Sequence, residues 1–402
     1  MLCHPDLAYR VLTDFRAYDR TGPVYDRVRG AMGNGLATVT YSDHRRQRLA
    51  MQPAFRHEHM RGYVAVMQQE VTATMNAWRD GLAVDVVDEM FKLTTTVALR
   101  ALFSRTIDSR DAGELRESFD VFLRGTYIRA ALPVLGKLPT PGNRRYDQAL
   151  ARWRAQVSDL IEGYRQAGAG RGDLMSRLLA ARDKQGVTDQ ELSDQVAVLL
   201  LAGGETTSAA LVWSLHLLAG HPEVLDALHA EVDAVLGGGV AGWEHLSRLD
   251  LTSRVVREAL RLYPPAWIVI RTCERETRLA GHTLPVGSML LFSSYVLHRR
   301  PDFFPRPHEF DPGRWLDLAD GGSGRGAGGV AASHRGSFLP FGAGATKCIG
   351  EEFGLAEATL ALATICARWK LTPEPGQTLS PAARAVLVPR TLPMRLSART
   401  TP

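Results

Sequence analysis

The sequence predicts a mainly α-helical protein with a minor β part late in the chain, organised as a single large domain over residues 1–402. Three observations carry this. Between about residues 57 and 235, apolar side chains recur at spacings of three and four, the mark of helices buried along one face; the segments 60–78, 149–164 and 189–218 are the clearest. Alternating, strand-like runs are confined to later segments: ETRLAGHTLPVGSMLLFSSYVLH is punctuated by Gly281, His282, Pro285 and Gly287 as hairpins are, and 385–388 and 394–396 add two more candidates. The chain has 402 residues, 45% of them hydrophobic and 23% charged, which is the balance of a globular protein with a core large enough to enclose a sizeable cofactor.

The composition also excludes. No stretch approaches the roughly 18–20 uninterrupted apolar residues of a membrane span, and the N-terminus MLCHPDLAYRVL has neither the basic region nor the apolar core of a signal peptide, so a cytoplasmic location without a membrane span is expected. Cys3, Cys273, Cys348 and Cys366 lie far apart with no CxxC spacing, which speaks against zinc sites and a disulfide framework. The net charge of +5 is modest and its basic residues do not interleave with aromatics, so nucleic acid is not an expected partner. The glycine-rich stretches 237–242 and 321–329 lack the strand-to-helix setting of a phosphate loop and read as surface loops.

The stretch FGAGATKCIG, residues 341–350, places a cysteine in a glycine-rich turn before an apolar run of helical spacing. Unsatisfied N–H groups and the positive end of a helix favour a thiolate, which suits metal ligation or nucleophilic catalysis, although a lone cysteine is more often a buried structural one. Gly342, Gly344 and Gly350 permit positive φ angles and the close approach of a flat partner, with Phe341 placed to cover the sulfur. The stretch resembles the haem-thiolate loop of cytochromes P450, in which Phe-Gly-x-Gly-x-Arg/His-x-Cys-x-Gly presents the cysteine to haem iron. Further motifs resemble that family in the same order. Glu258-Ala259-Leu260-Arg261 is similar to its Glu-x-x-Arg pair, with Arg314 of FDPGRW as third member, and LYPPAW and HRRPDFFPRPHEFDPGRW follow. By itself such an i, i+3 pair on a surface helix contributes under about 1 kcal/mol.

Within the apolar segment 189–218, LLLAGGETT sets two glycines, an acid and two threonines where glycine costs about 1 kcal/mol relative to alanine and a buried carboxylate costs more. The resemblance implies that this helix is widened over the haem, that Thr206 hydrogen-bonds bound oxygen and that Glu205 links it to solvent. The residues alone also allow a kink in which Thr206 bonds back to a carbonyl one turn earlier. In SDHRRQRLAMQPAF, His44 and Arg48 share a helix face at i, i+4 and resemble the family's propionate-binding His-x-x-x-Arg; Arg271 matches another such position. The implied cofactor is haem b, with Cys348 as iron ligand and Phe341 and Gly344 beside it. Arg45 and Arg46 are expected to point to the surface, with a weak steering role toward a ferredoxin or flavodoxin served by its NAD(P)H reductase.

Two departures from the family stand out. Thr346 replaces the Arg or His that reaches a propionate, and Lys347, one residue out of phase, is expected to compensate in part. HPDLAYRVLTDFRAYDR already resembles a segment usually preceded by a first helix and two strands; either a start lies upstream or the sheet lacks these strands and exposes an edge. The resemblance implies a monooxygenase that inserts one oxygen atom of dioxygen into a hydrophobic small molecule. Contacts are expected from 25–37, from Ala202 in 199–203, from Trp267, Ile268 and Val269, and from Leu387, though such side chains also simply pack cores. The region from YVLHRRPDFFP to ALATICARW is most similar to terpene-oxidising bacterial members. A peroxide-using or non-oxygenating haem-thiolate enzyme is an alternative that Glu205 and Thr206 argue against; a haem-binding pseudoenzyme within a biosynthetic assembly is another.

Overall fold

The structure, a computed structural model, describes residues 1–103, 118, 121–122, 125–126, 129, 136, 138–166, 173–176, 178–179, 188–318, 336–376, 379, 381–383 and 386–399. The glycine-rich stretch 321–329 and residue 385 lie outside them. The described helices are α1 (Pro5–Thr13), α2 (Gly22–Met32), α3 (Tyr41–Met51), α4 (His57–Ala77), α5 (Val86–Phe103), α6 (Pro141–Gln166), α7 (Asp189–Ala219), α8 (Pro222–Leu236), α9 (Asp250–Leu262), the short α10 (Ser294–Leu297) and α11 (Glu351–Arg368).

The longest of these, α7, is 31 residues, roughly 45 Å at 1.5 Å per residue. A capping box starts it: the Glu191 N–H donates to Thr188 Oγ1 at 3.1 Å and the Thr188 N–H to Glu191 Oε2 at 2.9 Å, so the first turn's orphan donors are met. Its N-terminal half packs with α6 around Trp153 and Tyr164, and its C-terminal half lies in the main core with α4, α5, α8, α9 and α11. Among the described residues it is the one helix long and apolar enough to cross a membrane, but 72% of that apolar window is buried inside the protein. Apolar on nearly all sides, it is a core helix.

Among the described residues there are also ten short strands: β1 (Tyr18–Asp19), β2 (Ala83–Asp85), β3 (Val269–Cys273), β4 (Thr277–Leu279), β5 (His282–Leu284), β6 (Met289–Phe292), β7 (Trp369–Pro373), β8 (Ala382–Ala383), β9 (Leu387–Val388) and β10 (Pro393–Ala398). They form sheets of order β1-β3-β6 and β2-β10-β7 and the pairs β4-β5 and β8-β9. Of the late strands, β4, β5, β6, β9 and β10 fall on segments the sequence singles out, while β3, β7 and β8 lie outside them. So do the early β1 and β2: two or three residues are too short to display alternation, and each is defined by its late partner, Tyr18 opposite Cys273 and Val84 opposite Met394. This pairing brings the N-terminal segment against β3, and with it the residues that surround the cysteine turn.

Candidate active site

Cys348 does not stand in the first turn of α11 but three residues before it, in a closed loop. Its N–H donates to the Phe341 carbonyl at 2.8 Å, the Lys347 N–H to Gly344 at 3.1 Å, and the Gly342 N–H to Leu339 at 3.2 Å. Gly342 and Gly344 take φ of 71° and 68°, where a β-carbon is strained. They differ in surroundings. A β-carbon at Gly342 would meet open space, whereas one at Gly344 would lie 3.0 Å from the Leu12 carbonyl. Gly344 therefore serves the packing of α1 against the loop, and Gly342 leaves open space beside it.

The thiol is exposed, yet burial pushes its pKa up, with the Gly350 N–H, Arg48 and Lys347 pulling the other way and Glu351 adding to the rise. Removal from water thus opposes the thiolate that the nearby N–H and cations favour, so a cation beside the sulfur would favour the thiolate. Among the described residues no group of three or more His, Cys, Asp or Glu is arranged to hold a metal ion, so a metal at Cys348 would take its other ligands from a cofactor.

Facing this loop is a cluster of cations. The Arg48 guanidinium donates to the carbonyl of Lys347, next to the cysteine; Arg271 donates to the Ile270 carbonyl at 2.7 Å and the Tyr25 hydroxyl at 3.1 Å. Sequence reasoning missed the cluster's other arginine. Arg20 is 8% exposed and donates to the Leu36 carbonyl at 2.8 Å. Burial and then the Arg271 charge pull its pKa down to about 10. His44 is brought to about 3 by burial and then by Arg20, Arg48 and Arg271, and its Nδ1 is buried without a hydrogen-bond partner among the described residues. No carboxylate pairs with Arg20, Arg48 or Arg271 among the described residues; Asp19, the neighbouring acid, accepts instead from the Tyr41 and Arg20 N–H groups. Arg20 closes the stretch HPDLAYRVLTDFRAYDR that resembles the family's early segment, but nothing in that stretch marks it as part of a cation cluster.

Lys347 pairs with Glu351 on α11 and does not join this cluster. Arg46 also departs from expectation. It pairs with Glu191 of the α7 capping box, clamping α3 to α7, while Arg45 is exposed as expected.

On α7, Ala202 is exposed within an otherwise buried helix and Glu205 and Thr206 are half-buried beside it. Thr206 Oγ1 donates to the Ala202 carbonyl at 2.6 Å, the local back-bond one turn earlier. The glycines have a packing role: a β-carbon at Gly204 would lie 2.8 Å from Thr95 Oγ1 on α5, and Thr94 donates to the Gly204 carbonyl at 2.6 Å. Behind this turn is an acid that sequence reasoning missed. Glu357 on α11 is 1% exposed, with neither oxygen in hydrogen-bond geometry among the described residues; burial raises its pKa well above the usual range, the nearby Thr207 hydroxyl opposing this.

Glu258, Arg261 and Arg314 meet as expected, with Glu258 and Arg261 fully buried and Arg314 half-buried beside them. Arg261 places Nε 2.9 Å from Glu258 Oε2 and Nη2 2.8 Å from Oε1, and Arg314 Nε donates to Oε1 at 2.9 Å. Trp315 Nε1 and the Asp311 N–H complete the carboxylate's shell at 2.8 and 3.1 Å. The substrate candidates divide. Trp267 and Ile268 are half-buried between α9 and β3, but Val269 packs on the cluster of Ala8, Leu12, Phe292, Leu297, Leu339 and Ala343. Leu387 is 4% exposed, its carbonyl accepting from Trp213 Nε1 at 2.9 Å. Val269 and Leu387 thus have packing partners within the core.

A loop with one thiol, a glycine that leaves open space beside it, and cations with an orphaned imidazole nitrogen fit an iron porphyrin carrying two carboxylates. A family model described as cytochrome P450 matches residues 1–396. The chain is 45% identical over 385 residues to cyclooctatin synthase of Streptomyces melanosporofaciens, covering 94% of this chain and 82% of that one. It is 41% identical to pentalenene oxygenase of Streptomyces avermitilis, covering 99% and 87%. Among solved structures it is similar to the haem domain of cytochrome P450DA, with a TM-score of 0.87 at 28% identity, covering 99% and 87%.

Proposed function

The chain belongs to the cytochrome P450 family, and from that premise we propose that it is a haem-thiolate monooxygenase that inserts one oxygen atom of dioxygen into a hydrophobic terpenoid. The observation that carries the reading is the joining of Cys348 through Arg48 to a buried cation cluster with no carboxylate of its own among the described residues. Haem b offers the complement to both: iron for the Cys348 sulfur, and two propionates for Arg20, His44, Arg48 and Arg271. When bound, it supplies dioxygen reduction and oxygen transfer to a C–H bond.

The chain's own residues bind, orient and supply protons. Thr206 keeps its hydroxyl proton on the Ala202 carbonyl, from which a small rotation brings it to the exposed side of α7, and Glu205 in the next position is the acid that restores it. Burial favours a further proton on Glu357 behind Thr207. Ala202, Trp267 and Ile268 provide apolar walls that favour a neutral substrate and exclude water. The relatives named for cyclooctatin and pentalenene support a polycyclic terpenoid. Electrons come from a ferredoxin or flavodoxin with its NAD(P)H reductase, steered by Arg45, in the cytoplasm.

The test is the spectrum of the reduced, carbon-monoxide-bound protein, which is expected to show a strongly red-shifted Soret band that Cys348→Ser abolishes. Turnover with ferredoxin, its reductase, NADPH and pentalenene or cyclooctat-9-en-7-ol in labelled dioxygen should give a product carrying one labelled oxygen. Turnover by peroxide alone, with none through the redox partner, would favour the peroxide-using reading instead.

A further inference from the structure

His298 stands where the Glu258–Arg261 network meets the cysteine loop. It is fully buried, immediately after α10, with its ring against Phe304 and Phe338 at centroid distances of 6.2 and 5.3 Å. Three hydrogen bonds fix it. The Arg261 guanidinium donates to the His298 carbonyl at 3.0 Å; Nδ1 lies 3.2 Å from the Arg261 carbonyl; and the Leu339 N–H donates to Nε2 at 2.9 Å.

The partners settle the tautomer. A backbone N–H only donates, so Nε2 is an unprotonated acceptor; a carbonyl only accepts, so Nδ1 carries the proton. Burial, the largest influence, brings the imidazole pKa down to about 3, so the ring stays neutral near pH 7. Leu339 is the first residue of the loop, its carbonyl accepting from Gly342. The ring is thus a neutral two-sided strap from the last turn of α9 to the loop that ends at Cys348.

We propose that His298 is a positioning residue that fixes the cysteine loop against the end of α9 and thereby sets the placement of the Cys348 sulfur toward the iron. This rests on the haem-thiolate reading above. Without the acceptor at Nε2, the Leu339 N–H is a buried orphan, and the loop gains an incentive to shift toward another partner.

The experiment uses holoprotein and compares His298→Gln with His298→Asn. Glutamine's Oε1 reaches the place of Nε2 and accepts from Leu339; asparagine reaches the Arg261 carbonyl but falls short of Leu339. The readouts are the rate at which the reduced, carbon-monoxide-bound protein loses its red-shifted Soret band in mild urea, and the ferric–ferrous midpoint potential. His298→Asn is expected to lose the band at least about tenfold faster than wild type with an altered potential, and His298→Gln to stay within about threefold with the potential of the wild type. Equal behaviour of the two variants, whether both stable or both labile, overturns the proposal, since packing alone would then account for the residue. Thermal midpoints taken alongside separate loop movement from general unfolding. A wild type with no red-shifted band would defeat the haem-thiolate reading itself, a different result from wild type and Asn variant decaying alike.

Discussion

Two groups of buried arginines lie in this protein, and they are built oppositely. Around Glu258 every charge is answered: Arg261 and Arg314 share its two oxygens, Trp315 and the Asp311 N–H fill the rest, and the outer guanidinium nitrogens reach the carbonyls of His298, Pro307, Glu309 and Pro305. Around His44 the cations face one another, anchored only to backbone carbonyls and a tyrosine hydroxyl. Desolvation makes an unanswered buried charge costly. The saturated cluster is complete within the fold, whereas the unsaturated one has no paired carboxylate among the described residues, as the proposed haem propionates would require.

The largest effect should come from breaking the saturated group. Glu258→Gln leaves Arg261 buried without a counter-charge and Arg314 with only the Asp311 carboxylate at 3.9 Å, and should cost about 3–5 kcal/mol, read as a lowered urea midpoint with and without haem. The unsaturated group should respond with opposite signs in the two states. Arg271→Leu is expected to leave the apoprotein's thermal midpoint unchanged or raised, because a repulsion is removed, and to weaken haem binding by about 1.5–3 kcal/mol through a lost charge-assisted hydrogen bond, measured by transfer of haem to apomyoglobin. A loss of stability equal in both states would show that Arg271 belongs with the structural group.

His44 sharpens the contrast through pH. Its folded pKa, about 3, lies below the usual 6.5, so between those values the unfolded chain binds the proton and the folded one does not. Its contribution is present above 6.5 and is lost as pH falls toward 3, with a slope of at most about 1.4 kcal/mol per pH unit. The apoprotein should show this slope, His44→Gln should lack it, and haem loading should flatten it because propionates favour the charged imidazole. The smallest effect concerns a pair that is matched but partly exposed: Arg46→Ala, breaking the contact with Glu191, should cost under about 1 kcal/mol in urea titration. Its smallness would show that burial, and not pairing as such, separates the two groups.

Much of this was legible in the chain. The helical body, most of the late strands, the cysteine turn and the Glu258–Arg261–Arg314 set follow from local pattern and motif order. What escaped did so for physical reasons. Arg20 is ordinary in its own segment and becomes part of the cluster through Tyr18 pairing with Cys273, some 250 residues away. Glu357 reads as a polar residue within an apolar helical run, and its raised pKa depends on what α7 lays over it. Val269 and Leu387 share the composition of a substrate wall and of a core, and composition does not say which way a side chain turns.

The sequence by itself determined where chemistry could reside, since a cysteine between glycines and a breach of helix propensity at residues 202–207 are features of neighbouring residues. The tertiary structure decided charge state and partnership: which arginines are answered, that Cys348 is raised rather than lowered in pKa, that Lys347 turns to Glu351, and that His298 joins α9 to the loop. Those quantities depend on distance through space and on exclusion of water, and neither is written in the order of residues along the chain.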